Sequence, residues 1–118
     1  MSNWTAQDIV RWHKEALSKT TAEEQLRKVA DEALEYYTAT TNADRMEEMA
    51  DVLIAATVLW RRYGEPLGAI LETWRPVGVS DAEVKAAINA KMDINAERTW
   101  KGNQHVENKN AVFKGRGN

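Results

Sequence analysis

From Val52 to Trp60 the chain reads VLIAATVLW, apolar at every position except Thr57. Met49, Val52, Leu53, Ala56, Leu59, Trp60 and Tyr63 recur at the spacing of one helix face, which predicts a helix packed into a core along that stripe. Ala55 and Val58 lie off the stripe, so a second face must be covered as well. At roughly 100° per residue, Glu48 and Asp51 fall in line with that second face. An acidic pair three apart is usually part of a solvated surface. Here its apolar flank points the carboxylates into protein.

The same pattern divides the rest of the chain into helices, with no alternation to suggest strands, and predicts an all-α fold of four main helices. The first covers about Thr5 to Leu17, with Ile9, Trp12, His13 and Ala16 on one side. Thr21 and Glu24 form a capping box for the second, which runs to about Tyr37 and ends in the helix-poor TATTN segment. Asn42 is the expected cap of the third, which continues to Tyr63, where Gly64 supplies a C′ residue and Pro66 stops or restarts the helix. A short helix follows around Leu67 to Trp74. Ser80 and Glu83 make another capping box, opening the last helix through about Arg98. After it, KGNQHVENKNAVFKGRGN is rich in Gly, Asn and Lys. Residues 1–100 are therefore expected to form one domain and residues 101–118 a flexible, loop-rich tail.

The second helix repeats the acidic arrangement. Leu26, Val29, Ala30, Ala33 and Tyr37 form its expected packing stripe, and Lys28, Glu32 and Glu35 share the opposite face. The short connection to the third helix predicts antiparallel neighbours, which brings Glu32, Glu35, Glu48 and Asp51 around one cavity. Carboxylates gathered in a core repel one another unless a counter-charge joins them. Hard oxygen ligands and the absence of cysteine favour Mg²⁺, with Mn²⁺ as a substitute, over Zn²⁺.

Composition narrows the class. At 118 residues the chain is one unit, and a formal net charge of −2 gives no electrostatic case for a nucleic-acid backbone. MSNWTAQDIV lacks the basic and apolar regions of a signal peptide, and no stretch reaches transmembrane length, so a cytoplasmic protein with no membrane partner is expected. The third helix offers apolar residues on more faces than one small chain can cover, which predicts a homodimer or homotetramer.

The last helix supplies the opposite charge. Its stripe of Val84, Ala87 and Ile88 continues as Lys91, Asn95 and Arg98 on the same face. Alone, these could snorkel or complement the helix dipole. Beside an acidic cavity they are donors for the oxygens of a metal-bound polyphosphate.

DEALE, followed after a twelve-residue spacer by EMAD, resembles the EExxE, spacer, ExxD signature of the MazG-like all-α nucleotide pyrophosphohydrolases, with Asp31 where that pattern has Glu. KMDINAERTW is similar to the K, N, R segment of the last core helix in such proteins, and the resemblance spans about Trp4 to Trp100. It implies a four-helix MazG-like bundle that hydrolyses a nucleoside triphosphate to the monophosphate and pyrophosphate. Glu32, Glu35, Glu48 and Asp51 would hold Mg²⁺ and carry catalysis, and Lys28, Lys91, Asn95 and Arg98 would bind phosphate. Trp12 and His13 on the first helix would contact the base. The short chain and its KMDINAERTW ending look most like phage and bacterial members acting on purine deoxynucleotides, including MazZ-type dGTP and dATP diphosphohydrolases.

Three other readings compete. A di-iron or di-manganese bundle needs Glu-x-x-His motifs, which are missing. A phosphoribosyl-ATP pyrophosphohydrolase would use similar metal chemistry on another substrate. A non-enzymatic helical oligomerisation module would use its acidic patches to bind a partner.

Overall fold

In the computed structural model, which describes residues 2–100, five helices follow one another: α1 (Ala6–Ala16), α2 (Ala22–Thr38), α3 (Asn42–Arg61), α4 (Pro66–Leu71) and α5 (Asp81–Trp100). No strand occurs among the described residues. The tail from Lys101 onward lies outside them.

Local chemistry starts these helices. Thr5 with Asp8, Thr21 with Glu24, and Ser80 with Glu83 each exchange side-chain and backbone hydrogen bonds as capping boxes. At α3 the cap is Thr41, whose Oγ1 accepts from the Asp44 amide at 3.1 Å, and not Asn42. Both residue types suit the position; the extended backbone of Thr41 sets its hydroxyl under the first turn, whereas Asn42 is already helical. Past the end of α3, Gly64 adopts φ 74°, the left-handed conformation that turns the chain toward α4.

α3 is the axis of the molecule and packs against all four other helices. Ile54 and Val58 meet Ile9 of α1 and Met92 of α5; Ala55 and Leu59 meet Val29 of α2 and Leu71 of α4; Met49 and Leu53 meet Val84 of α5. The near-continuous apolar run is thus buried on every side within a single chain, so the expectation that one small chain could not cover α3 fails: α1, α2, α4 and α5 together enclose it. Trp60 is the exception at 37% exposed. α4 approaches α3 so closely that a Cβ on Gly68 would lie 2.6 Å from the Ala56 carbonyl oxygen and the Trp60 amide nitrogen.

The packing face of α2 differs from expectation. Only Val29 of the predicted stripe is buried; Leu26, Ala30, Ala33 and Tyr37 face outward, and the inward residues are Gln25, Lys28, Val29, Glu32 and Tyr36. α2 has a polar and an apolar face in competition, and the mostly polar one meets α3, where Gln25 donates to the Ala55 carbonyl and Val29 packs on Ala55 and Leu59. The N-terminal segment closes on the last helix: the Trp4 amide donates to Asn89 Oδ1 at 2.8 Å, and its indole nitrogen to Asp93 Oδ1 at 2.9 Å. Among the described residues, no helix is long and apolar enough to cross a membrane.

Candidate metal centre

The hairpin of α2 and α3 brings carboxylates from both helices to one point. Oxygens of Glu32, Glu48 and Asp51 all lie within 4.8 Å of one another. Glu35 stands outside that set, more exposed and one turn along α2, and hydrogen-bonds Glu48. All four predicted carboxylates therefore belong to one neighbourhood, three at its centre and one on its rim.

The lysines sit where the charge pattern placed them. Lys28 Nζ is 2.7 Å from Glu32 Oε2, one helical turn away on α2. Lys91 Nζ reaches across from α5 to Asp51 Oδ2 at 3.2 Å, with Glu47 Oε2 on its other side at 3.6 Å. Two ammonium groups do not balance this many carboxylates, and the shortfall shows in the acids' protonation. Burial, then the charges of Asp51, Glu35 and Glu32, push the Glu48 carboxyl up to about 8. Burial and the charge of Glu32 raise Asp51 to about 6, opposed by Lys91.

Two oxygens test whether a cation suits this place. Glu32 Oε1 and Glu48 Oε1 are both buried and meet no donor from the protein. A buried acceptor left without a donor is destabilising by about 1–3 kcal/mol, more when charged. A divalent cation bound to those oxygens removes that penalty and the mutual repulsion together. With oxygen donors only, the set suits a hard ion.

The remaining predicted residues lie further out. Asn95 is half-buried, its amide 3.8 Å from Met92 Sδ, and Arg98 is exposed one turn beyond it. Trp12 packs against the α1–α3–α5 core and lines an open cavity of about 380 Å³ with Trp4, Asp8, Arg11 and Glu15; no acidic-cluster residue lines that cavity.

His13 is enclosed, only 4% exposed. Its Nδ1 meets Arg62 Nη1 at 2.7 Å and its ring also meets the Gln25 side chain, so protein occupies the edges that would read a base. Burial and the Arg62 charge bring its pKa down to about 3.

Sequence reasoning missed Glu47, Gln25 and Arg62. Glu47 is one residue from the predicted pair and was legible as a second acid facing the last helix. Gln25 shares a face with Glu32, seven residues on, but nothing in the chain marks it as buried. Arg62 resembles an ordinary basic residue at a helix end.

Carboxylates from successive helices around one buried point, with lysines at the edge, define an all-helical acidic cluster that could hold a divalent cation. A family model for dATP/dGTP pyrophosphohydrolases matches residues 5–117, nearly the whole sequence. The chain belongs to that family, whose members are hydrolases acting on acid anhydrides with a nucleoside triphosphate as substrate. Searches of curated proteins and of solved structures gave no match.

Proposed function

We propose that this protein is a Mg²⁺-dependent hydrolase of purine deoxynucleoside triphosphates, dGTP or dATP, releasing the monophosphate and pyrophosphate. The observation that carries the cation requirement is the pair of buried, donor-less oxygens on Glu32 and Glu48, two members of one acidic cluster. The family supports the substrate class.

In this reading Glu32, Glu48 and Asp51 hold the ion, with Glu35 completing the set from the rim. Bound there, Mg²⁺ supplies charge neutralisation at the phosphate oxygens and a more acidic water. Water oxygen attacks the α-phosphorus, the bond from that phosphorus to the α–β bridging oxygen breaks, and pyrophosphate leaves with the electron pair. The water proton passes to a carboxylate of the cluster. Lys28 and Lys91, which pair with Glu32 and Asp51, would also meet the β and γ phosphates, with Asn95 and Arg98 further along α5. Trp12 provides the stacking surface for the base. His13 is left out of base contact, since Arg62 and Gln25 hold its ring.

The test is a Mg²⁺-dependent screen of all common NTPs and dNTPs that separates monophosphate from diphosphate products. dGTP and dATP are expected to be turned over fastest, with pyrophosphate released. Diphosphate with inorganic phosphate would overturn attack at the α-phosphorus. Glu48→Gln is expected to abolish turnover and retain the helical circular dichroism; retained turnover would remove Glu48 from the site.

A further inference from the structure

α2 meets α3 through a face that is mostly polar. Val29 against Ala55 and Leu59, and the partly buried Tyr36 on the Met49–Leu53 cluster and the edge of Trp74, are its apolar contacts among the described residues; apolar contact is non-directional and sets the position of α2 along its axis only loosely. The carboxylate centre does not tolerate sliding. A slip of one residue moves Glu32 by about 1.5 Å, whereas metal–ligand distances are held to about 0.2 Å. Something directional must fix the register.

Gln25 is placed to do so. Its side chain is buried, and its Nε2 donates to the Ala55 carbonyl oxygen at 3.1 Å. Gln25 precedes Glu32 by seven residues, and Ala55 follows Glu48 by seven. In an antiparallel pair those steps are equal, two turns or about 10.5 Å along each axis. Fixing Gln25 on Ala55 therefore fixes Glu32 opposite Glu48.

The amide is itself oriented. Arg62 only donates, so His13 Nδ1 accepts from it and the ring proton sits on Nε2, facing Gln25. With its nitrogen committed to Ala55, Gln25 offers Oε1 to that proton. Arg62 is held in turn: Nη1 donates to the carbonyls of His13 and Leu17 at 3.3 and 3.1 Å, and Nη2 to that of Ser18 at 3.1 Å.

We propose that Gln25, oriented by His13 and Arg62, is a positioning residue that sets the register of α2 on α3 and thereby assembles Glu32 with Glu48 and Asp51 into a cation site. The inference rests on the metal reading above. It assigns His13 a role in building the site from behind.

The test measures Mn²⁺ binding to the full chain by calorimetry and by electron paramagnetic resonance, alongside thermal melting in chelator. Gln25→Met keeps the volume and helix propensity and removes both hydrogen bonds; Val29→Ala weakens packing on the same face and leaves them intact. Gln25→Met is expected to keep its helical circular dichroism and bind Mn²⁺ about 10-fold or more weakly, as for loss of a residue that orients metal ligands. Val29→Ala is expected to melt earlier and bind within about 3-fold of the parent, since no ligand-orienting contact is removed. Parent-like Mn²⁺ affinity in Gln25→Met, or losses in both variants that simply track melting temperature, would overturn the register role. If Gln25→Met fails to fold, Gln25→Asn, which keeps the amide but shortens its reach, is measured against the same expectation. A parent chain that binds no Mn²⁺ at all would fail the metal reading itself and take this inference with it.

Discussion

Protonation at single residues gives the site a measurable pH signature. With no cation bound, Glu48 holds its proton to about pH 8 in the folded chain, against an ordinary 4.5. The folded state then binds more protons than the unfolded one between those values, so this stabilisation is complete below 4.5 and lost as pH rises through 8. Asp51 acts in the same direction but has finished near 6. His13 acts in the other: brought down to about 3 from 6.5, it adds stability as pH rises between those values and nothing further above. Between pH 6.5 and 8 the remaining slope belongs to Glu48. In chelator the melting temperature is expected to fall across that interval, to stay level in Glu48→Gln, and to stay level in the parent under saturating Mg²⁺. A parent melting temperature that rises there in chelator would contradict the crowding of acids around Glu48.

At the scale of elements, the closest contact in the fold is also the easiest to disturb. Gly68→Ala puts a methyl group against the backbone of α3, where no flexible side chain can yield. The substitution is expected to lower unfolding stability by about 1–3 kcal/mol, read from urea denaturation. Because α4 covers Leu59 through Leu71, on the side of α3 away from Lys91, Mn²⁺ affinity should change little.

Which elements form, and where, was largely written in local sequence. The boxes at Thr21 and Ser80 need only residues three apart, and α3 announced its burial by lacking any polar face below Asp51. The inward face of α2 was not legible. Both of its faces obey helical spacing, and the choice between Leu26, Ala30, Ala33 and Tyr37 on one side and Gln25, Lys28 and Glu32 on the other was made by what α3 offered. For the same reason the acidic cluster could be read from spacing, while the His13–Gln25 contact behind it could not. Those two residues sit on helices whose relative placement no local pattern encodes.

For the molecule as a whole, the choice made by α2 leaves an apolar surface outside. Tyr37 is 83% exposed, Leu34 62% and Ile70 on α4 68%. We propose that these exposed apolar residues meet a second copy of the chain in a homodimer or homotetramer. Light scattering behind size exclusion is expected to give a mass of at least twice 13.4 kDa. Leu26→Glu with Tyr37→Glu is expected to move the population toward monomer with the helical signal intact. A parent eluting at 13.4 kDa would refute self-association.

The clasp between Trp4 and α5 bears on the order in which the chain assembles. Every carboxylate of the acidic cluster lies within the α2–α3 hairpin, whose contacts are close in sequence, whereas Trp4 must find Asn89 and Asp93 across most of the domain. Loops closed over such spans are slow to form relative to a hairpin. The acidic hairpin is therefore expected to fold ahead of the N-terminal segment, with seating of Trp4 as the final kinetic phase. Stopped-flow refolding followed by tryptophan fluorescence would show that phase in the parent, and Trp4→Phe should remove its amplitude without slowing the appearance of helix.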